Sequence, residues 1–365
     1  MGTKYVLLPC LLFGSAFGAV TLAQSQPADP LMSAAAKAEV IQTLRRKLQS
    51  NYVFPEVAER TAKAIEQKSA EGAYASATTA KVFAKLLSDD LRALGNDKHL
   101  AVRFDPGAVI DPTPGSAPSI QQLARMREEV IRDGFGIARV ERLAGNVGYL
   151  DLRGFGPTEM VADAYASAMS LLGGTDALIL DLRNNGGGEP SSVAYLMSYF
   201  FAEGDVRHIN DIYDRPKNQT RQYWTSGSVK SRYLKPVYVL TSAYTFSGGE
   251  ECAYDFQTQK RATLVGETTG GGANPGDFVA LGHGFVAFIP DGRAINPVTH
   301  TNWEHVGVTP DVSVPAAKAQ QAAYAEILRT LLAKATDANA RQELTTILAR
   351  VEKGDGEKVE YFVPR

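Results

Sequence analysis

The chain has 365 residues, 44% of them apolar, with a formal net charge of −2 and a pI of about 6.3. That length allows two domains, or one large domain with an accessory unit. Acidic and basic residues are interspersed, so there is no basic face to neutralise phosphates and no nucleic-acid partner is expected.

The first element in chain order is a targeting segment. Lys4 gives a positive start, 5–20 is apolar, and Thr21-Leu22-Ala23 fits a small-x-small cleavage site. This predicts a signal peptide over 1–23 and an exported mature chain, periplasmic or secreted. The apolar run is shorter than a bilayer span and contains Pro9, so no membrane span is expected after cleavage. Cys10 falls inside the signal, which leaves Cys252 as the single mature cysteine and excludes an internal disulfide. Glu250 and Glu251 beside it oppose a thiolate, so a buried helix cysteine is the better reading than a catalytic thiol.

Residues 24–104 read as a helical domain. Val40, Ile41, Leu44 and Leu48 share one helical face, and Pro55 separates them from a second helix over 56–69. Phe83, Leu87, Leu91 and Leu94 mark a third helix. A polar turn, Gly95 to His99, then leads into extended sequence over 100–104. Residues 105–135, proline-rich at their start, read as a linker. Over 136–316 short apolar runs alternate with helical patterns, which predicts an α/β layered domain. Its strands are expected at 147–152, 177–182, 237–241, 262–266 and 284–289. Helices are expected from Val193 to Phe200 and from Gly248 to Gln257. Residues 317–365 read as a helical extension, with two helices expected over 317–352, separated near Asp337.

Three segments carry chemistry. In Asp181-Leu182-Arg183-Asn184-Asn185-Gly186-Gly187-Gly188 a buried strand runs into three glycines, which free backbone N–H groups to face a ligand. Glu189-Pro190 follows where a phosphate-binding loop needs Lys-Ser or Lys-Thr, so nucleotide binding is not expected. On the glycines alone, a tight turn is sufficient. In Thr245-Phe246-Ser247-Gly248-Gly249-Glu250 a serine sits at a helix start. A cap is the ordinary role there. The same position also offers a nucleophile the Gly248 N–H and the helix dipole, and Gly187 can supply a second oxyanion donor. The third segment is Asn302-Trp303-Glu304-His305, where Glu304 can orient a histidine or simply face solvent. A serine nucleophile needs a base, and His99, His208, His283, His300 and His305 are the choices. His300 and His305 bracket Glu304 in a spacing that matches no zinc-protease motif, so no metal is expected.

Taken together, Tyr52-Val53-Phe54-Pro55, Asp97-Lys98-His99-Leu100, Gly148-Tyr149-Leu150, the 181–188 and 245–250 segments, Val265-Gly266-Glu267-Thr268-Thr269-Gly270-Gly271-Gly272 and Asn302-Trp303-Glu304 resemble the tail-specific, or C-terminal processing, serine protease family. The resemblance is greatest to its branch containing the interphotoreceptor retinoid-binding protein and the tricorn core protease. It implies a ClpP/crotonase-like catalytic domain behind a helical domain. It implies a Ser247 nucleophile, a His99 base oriented by Glu304, oxyanion donors Gly187 and Gly248, no cofactor, and a peptide or protein substrate. The processing proteases use a lysine 25 residues after the serine. Gly272 stands there, which excludes a Ser–Lys dyad in this chain. Only about 42 residues separate Phe104 from Asn146, too few for the PDZ domain many relatives carry. Lys98 replaces the serine that precedes the histidine in the tricorn branch, and His305 replaces a glycine. The alternative reading is a non-catalytic carrier of hydrophobic ligands, of retinoid or fatty-acid type, on the same fold. Oligomeric state is left open.

Overall fold

Three amphipathic helices form where the apolar spacing predicts them, in a computed structural model that describes residues 29–108 and 119–354. The expected signal at 1–23 lies outside these residues. Helix α1 (Ala34–Asn51) starts at Ser33, whose hydroxyl accepts from the Ala36 N–H at 3.1 Å, and buries Val40, Ile41, Leu44 and Leu48. Helix α2 (Pro55–Ala70) opens on the proline, which suits a first-turn position. Helix α3 (Ala80–Gly95) buries Phe83, Leu87 and Leu91 and stops at Asn96, which takes a left-handed φ of 50°. The turn that follows carries His99 into strand β1 (Ala101–Phe104).

The helical unit does not close at 104. Strand β1 pairs antiparallel with β10 (Phe285–Pro290), which pairs with β9 (Gly276–Gly282). Leu281, Phe285, Ala287 and Ile289 from that distant hairpin complete the core of the three helices. The expected linker contains helix α4 (Ile120–Arg132), entered through a capping box in which Ser119 and Gln122 exchange hydrogen bonds.

The larger layer is a six-stranded sheet in the order β12-β8-β7-β4-β3-β2. It comprises β2 (Ile137–Leu143), β3 (Val147–Leu152), β4 (Ala177–Asp181), β7 (Val237–Thr241), β8 (Thr263–Gly266) and β12 (Val312–Ser313). All neighbours are parallel except β2 with β3. Parallel strands buried on both faces read as continuous apolar runs. Leu178 and Leu180 pack toward α5 (Thr158–Leu172), α6 (Pro190–Met197) and α7 (Gly248–Thr258). Ile179 between them packs toward α8 (Ala316–Lys334) and α9 (Ala338–Glu352). The C-terminal helices therefore cover the second face of this sheet, and Asp337 caps α9. A third sheet, β11-β5-β6, joins β11 (Gly292–Ile295), β5 (His208–Asp214) and β6 (Gln219–Trp224). Cys252 is buried and free on α7, and burial pushes its thiol up. Among the described residues no helix is long and apolar enough to cross a membrane.

Candidate active site

Two parallel strands, β4 and β7, end side by side, and the turns that leave them are stitched together. The Ser242 hydroxyl donates to Arg183 O at 2.5 Å, and the Thr245 hydroxyl donates to Leu182 O at 2.8 Å. The Phe246 N–H donates to Asn185 O at 3.0 Å. Arg183 is buried and paired with Asp181, which also accepts from Tyr149 at 2.5 Å, so the first turn has a fixed root.

Ser247 sits between β7 and α7 at φ 52°, ψ −122°. A non-glycine residue there costs about 1–3 kcal/mol, so its surroundings must hold it. Glu250 does this work. Its carboxylate accepts from the N–H groups of Ser247, Gly271 and Gly272 and from the Thr269 hydroxyl. Burial raises its affinity for a proton, and these four donors oppose that. The strained serine is thus locked to a third turn, 268–272.

The two glycine turns touch. A Cβ on Gly187 would lie 2.7 Å from Ser247 Cβ and 2.9 Å from Gly248 N. The Gly187 N–H, expected as the second oxyanion donor, is committed to Asn185 Oδ1 at 2.8 Å. Its neighbour points the other way. Gly187 O and Glu189 N both bond to Phe155, so strand geometry turns the Gly188 N–H away from Phe155. A Cβ on Gly248 would lie 3.0 Å from Gly188 N. Gly188 and Gly248 therefore present adjacent amides beside Ser247.

His99 enters from the helical unit. It shares a cleft of about 730 Å³ with Ser247, between that unit and the α/β layer. Its ring lies on Phe246 at 4.5 Å between centroids and on Phe288 at 5.9 Å. Both ring nitrogens are buried without a hydrogen-bond partner. The nearest carboxylate is Asp97, with Oδ1 at 3.7 Å from Nδ1. Asp97 is buried and accepts from Tyr52 Oη at 3.1 Å, Asn274 Nδ2 at 3.0 Å and the His99 N–H at 2.9 Å. Burial acts to raise its pKa, but His99 and the Asn274 bond outweigh it and hold the carboxyl below its ordinary value.

Glu304 reaches the same corner from the other side. Its Oε2 accepts from the Ala273 N–H at 2.5 Å, and Oε1 lies 3.5 Å from His305 Nδ1. Among the described residues it makes no ion pair with His99 within 4.0 Å. Burial, with added repulsion from Asp97, pushes its carboxyl up to about 7. Lys98 is tied to Gly270 O at 2.6 Å, and His305 is half-exposed with Asn96 Nδ2 at 3.4 Å. At Gly272 a Cβ would collide with the Phe246 ring and come within 2.8 Å of His99 Cε1. The ring stack occupies the space that a side chain at 272 would need.

Asp97, Tyr52 and Asn274 are the residues that sequence reasoning left without a role. Tyr52 and Asp97 lie inside quoted motifs, but their contact spans 45 positions and that of Asn274 spans 177. The residue pattern held no signal for either contact.

Comparison with known proteins gives the same frame. Residues 146–314 match the model of peptidase family S41, and 31–138 match the N-terminal domain of Peptidase_S41 in eukaryotic IRBP. The chain is 28% identical over 223 residues to the chloroplastic carboxyl-terminal-processing peptidase 2 of Arabidopsis thaliana. That match covers 57% of this chain and 41% of the relative. It is 26% identical over 188 residues to the tail-specific protease of Haemophilus influenzae, covering 51% of this chain and 25% of the relative. The chain thus spans less than half the length of these relatives. Among solved structures, a peptidase from Parabacteroides merdae aligns over 82% of this chain and 98% of its own, at 18% identity and a TM-score of 0.53. Mature CPAF aligns over 88% and 99%, at 13% identity and 0.51. The tricorn protease aligns over 87% and 37%, at 14% identity and 0.50. These structural likenesses carry the fold, and the two family models together carry the classification: the chain belongs to peptidase family S41, with the N-terminal domain type of the retinoid-binding branch.

Proposed function

We propose that this chain is an exported serine peptidase that cleaves peptide or protein substrates through an acyl-enzyme formed on Ser247. The observation that carries the reading is the strained Ser247 held beside the Gly188 and Gly248 amides, in one cleft with His99.

In this mechanism His99 accepts the Ser247 proton as Oγ attacks the scissile carbonyl. The Gly248 and Gly188 N–H groups take the developing oxyanion. His99 then protonates the leaving amine, and a water activated by the same ring releases the acyl group. Asp97 faces Nδ1 and is the nearer carboxylate for orienting the imidazole. Glu304 adds a second negative charge behind it once ionised. The cleft is lined by Arg92, Lys98, Arg103, Asp214 and Arg221, among others. That charged lining suits a peptide backbone and its termini better than a retinoid or fatty acid, so the carrier reading is the weaker one.

The test is labelling with a fluorophosphonate. The native chain should be modified stoichiometrically and should hydrolyse a peptide library, whereas Ser247→Ala should do neither. A folded native chain that resists the label and cleaves nothing would sink the proposal. Export is checked by sequencing the mature N-terminus, expected at Gln24.

A further inference from the structure

Beside Ser247 lies a second, much smaller cavity of about 20 Å³. Gly188, Ser247 and Gly248 all line it, so it adjoins the amides assigned above to the oxyanion. Its walls include Ile212, Pro275, Ala294 and Trp303. Trp303 is buried and pinned through Nε1 to Gly272 O at 2.8 Å, and Ala294 is 2% exposed, so these walls do not yield easily. A single ionisable residue lines this apolar space. It is Glu251, in the first turn of α7, which lines the cavity together with Ser247. Glu251 is 3% exposed, and its Oε1 is buried without a hydrogen-bond partner.

A buried polar atom without a partner costs free energy, and one that faces a substrate pocket can recover it from the substrate. The space is small, and rigid walls around a small space favour a short substituent beyond the substrate Cβ over a bulky one.

We propose that this cavity is the subsite for the residue donating the scissile carbonyl (P1), and that Glu251 reads a hydroxyl there, so that serine is preferred to alanine and larger side chains are rejected. This rests on the peptidase reading of Ser247. Burial, opposed by Asn210 and reinforced by Glu189, pushes the Glu251 carboxyl up, in keeping with a hydrogen-bonding role rather than capture of a cationic side chain.

The experiment measures kcat/KM of the full chain on the p-nitrophenyl esters of N-acetyl-serine, -alanine and -leucine, with active sites counted by fluorophosphonate. The native chain should favour serine over alanine on the order of tenfold, the worth of one neutral hydrogen bond. Leucine should fall roughly a hundredfold below alanine, because it would overpack a rigid wall. Glu251→Leu should keep the label and bring the serine-to-alanine ratio to about one or below. Ile212→Ala, at the half-buried wall, should raise leucine relative to alanine about tenfold. If Glu251→Leu does not fold, the native ratios and Ile212→Ala decide. A native chain that turns over leucine as well as alanine overturns the proposal, as does an unchanged ratio in a fully labelled Glu251→Leu. A folded native chain that neither labels nor hydrolyses any ester removes the peptidase reading itself, a different failure from a labelled enzyme with the wrong preference.

Discussion

The two halves of the site are held in opposite ways. The Ser247 half grows from adjacent parallel strands, and hydrogen bonds from three turns fix a backbone conformation that serine would not adopt alone. The His99 half arrives from another core, rests on two aromatic rings, and leaves both imidazole nitrogens unpartnered. Oxyanion stabilisation needs donors that do not move during the reaction, whereas a proton carrier must take a proton from the serine oxygen and pass it to the leaving nitrogen. The hydrogen-bonded half suits the first task, and a ring whose two nitrogens make no hydrogen bond suits the second.

The largest effect should come from the Ser247 half. Ser247→Ala should lower kcat/KM on the order of 10⁴-fold or more, with the thermal midpoint unchanged or raised. A midpoint lowered by many degrees would mean that Ser247 holds the turns rather than being held by them. Next comes the support of the His99 half. Asp97→Asn should cost about 10²- to 10³-fold in kcat with KM little altered, because the ring loses the charge that fixes its tautomer. Wild-type turnover in a folded Asp97→Asn would return the orienting role to Glu304.

Gly272→Ala tests whether the stack that displaces the dyad lysine is also what aligns His99. Its Cβ would press on Phe246 and His99, and activity should fall about 10- to 100-fold while fluorophosphonate labelling slows in parallel. Full activity in this variant would show that the ring stack gives way at no cost.

The smallest effect is also the one with two signs. With its carboxyl at about 7, Glu304 is neutral in mild acid and ionises as pH rises through 7. Native kcat/KM should therefore gain a few-fold across that range, and Glu304→Gln should lack this limb while matching the native rate below about pH 6. Stability should move the other way. A carboxyl raised from 4.5 to about 7 in the folded chain stabilises it fully below 4.5 and loses that contribution as pH climbs through 7. Relative to native, Glu304→Gln should gain up to about 3 kcal/mol above pH 7, read from urea midpoints at several pH values. Parallel pH curves for the two proteins would remove Glu304 from both roles.

The same contrast separates what was legible in the sequence from what was not. The three N-terminal helices and the buried strands follow from periodicity, because apolar residues dominate their buried faces. Strand β6 did not, since Gln219–Trp224 lies on an edge with most residues exposed and shows no alternation to read. Helix α4 was folded into a linker, because it follows a proline-rich stretch and none of its residues is buried. Ser247 and the glycine turns are local signals and could be found. The direction of the Gly188 N–H depends on where Phe155 pairs, and the contacts of Asp97 with Tyr52 and Asn274 span 45 and 177 positions. Contacts of that kind are made by topology.

That topology has a consequence for the order in which the proposed site can assemble. The strand that follows His99 has no partner until the hairpin ending at Pro290 exists, and Glu304 comes later still. A nascent or truncated chain that carries the histidine, or even the whole serine corner, lacks the platform that brings the two together. Long-range pairing of this sort is slow to form. On the reading proposed above, His99 and Ser247 would therefore be brought together only after the chain through Pro290 has been made.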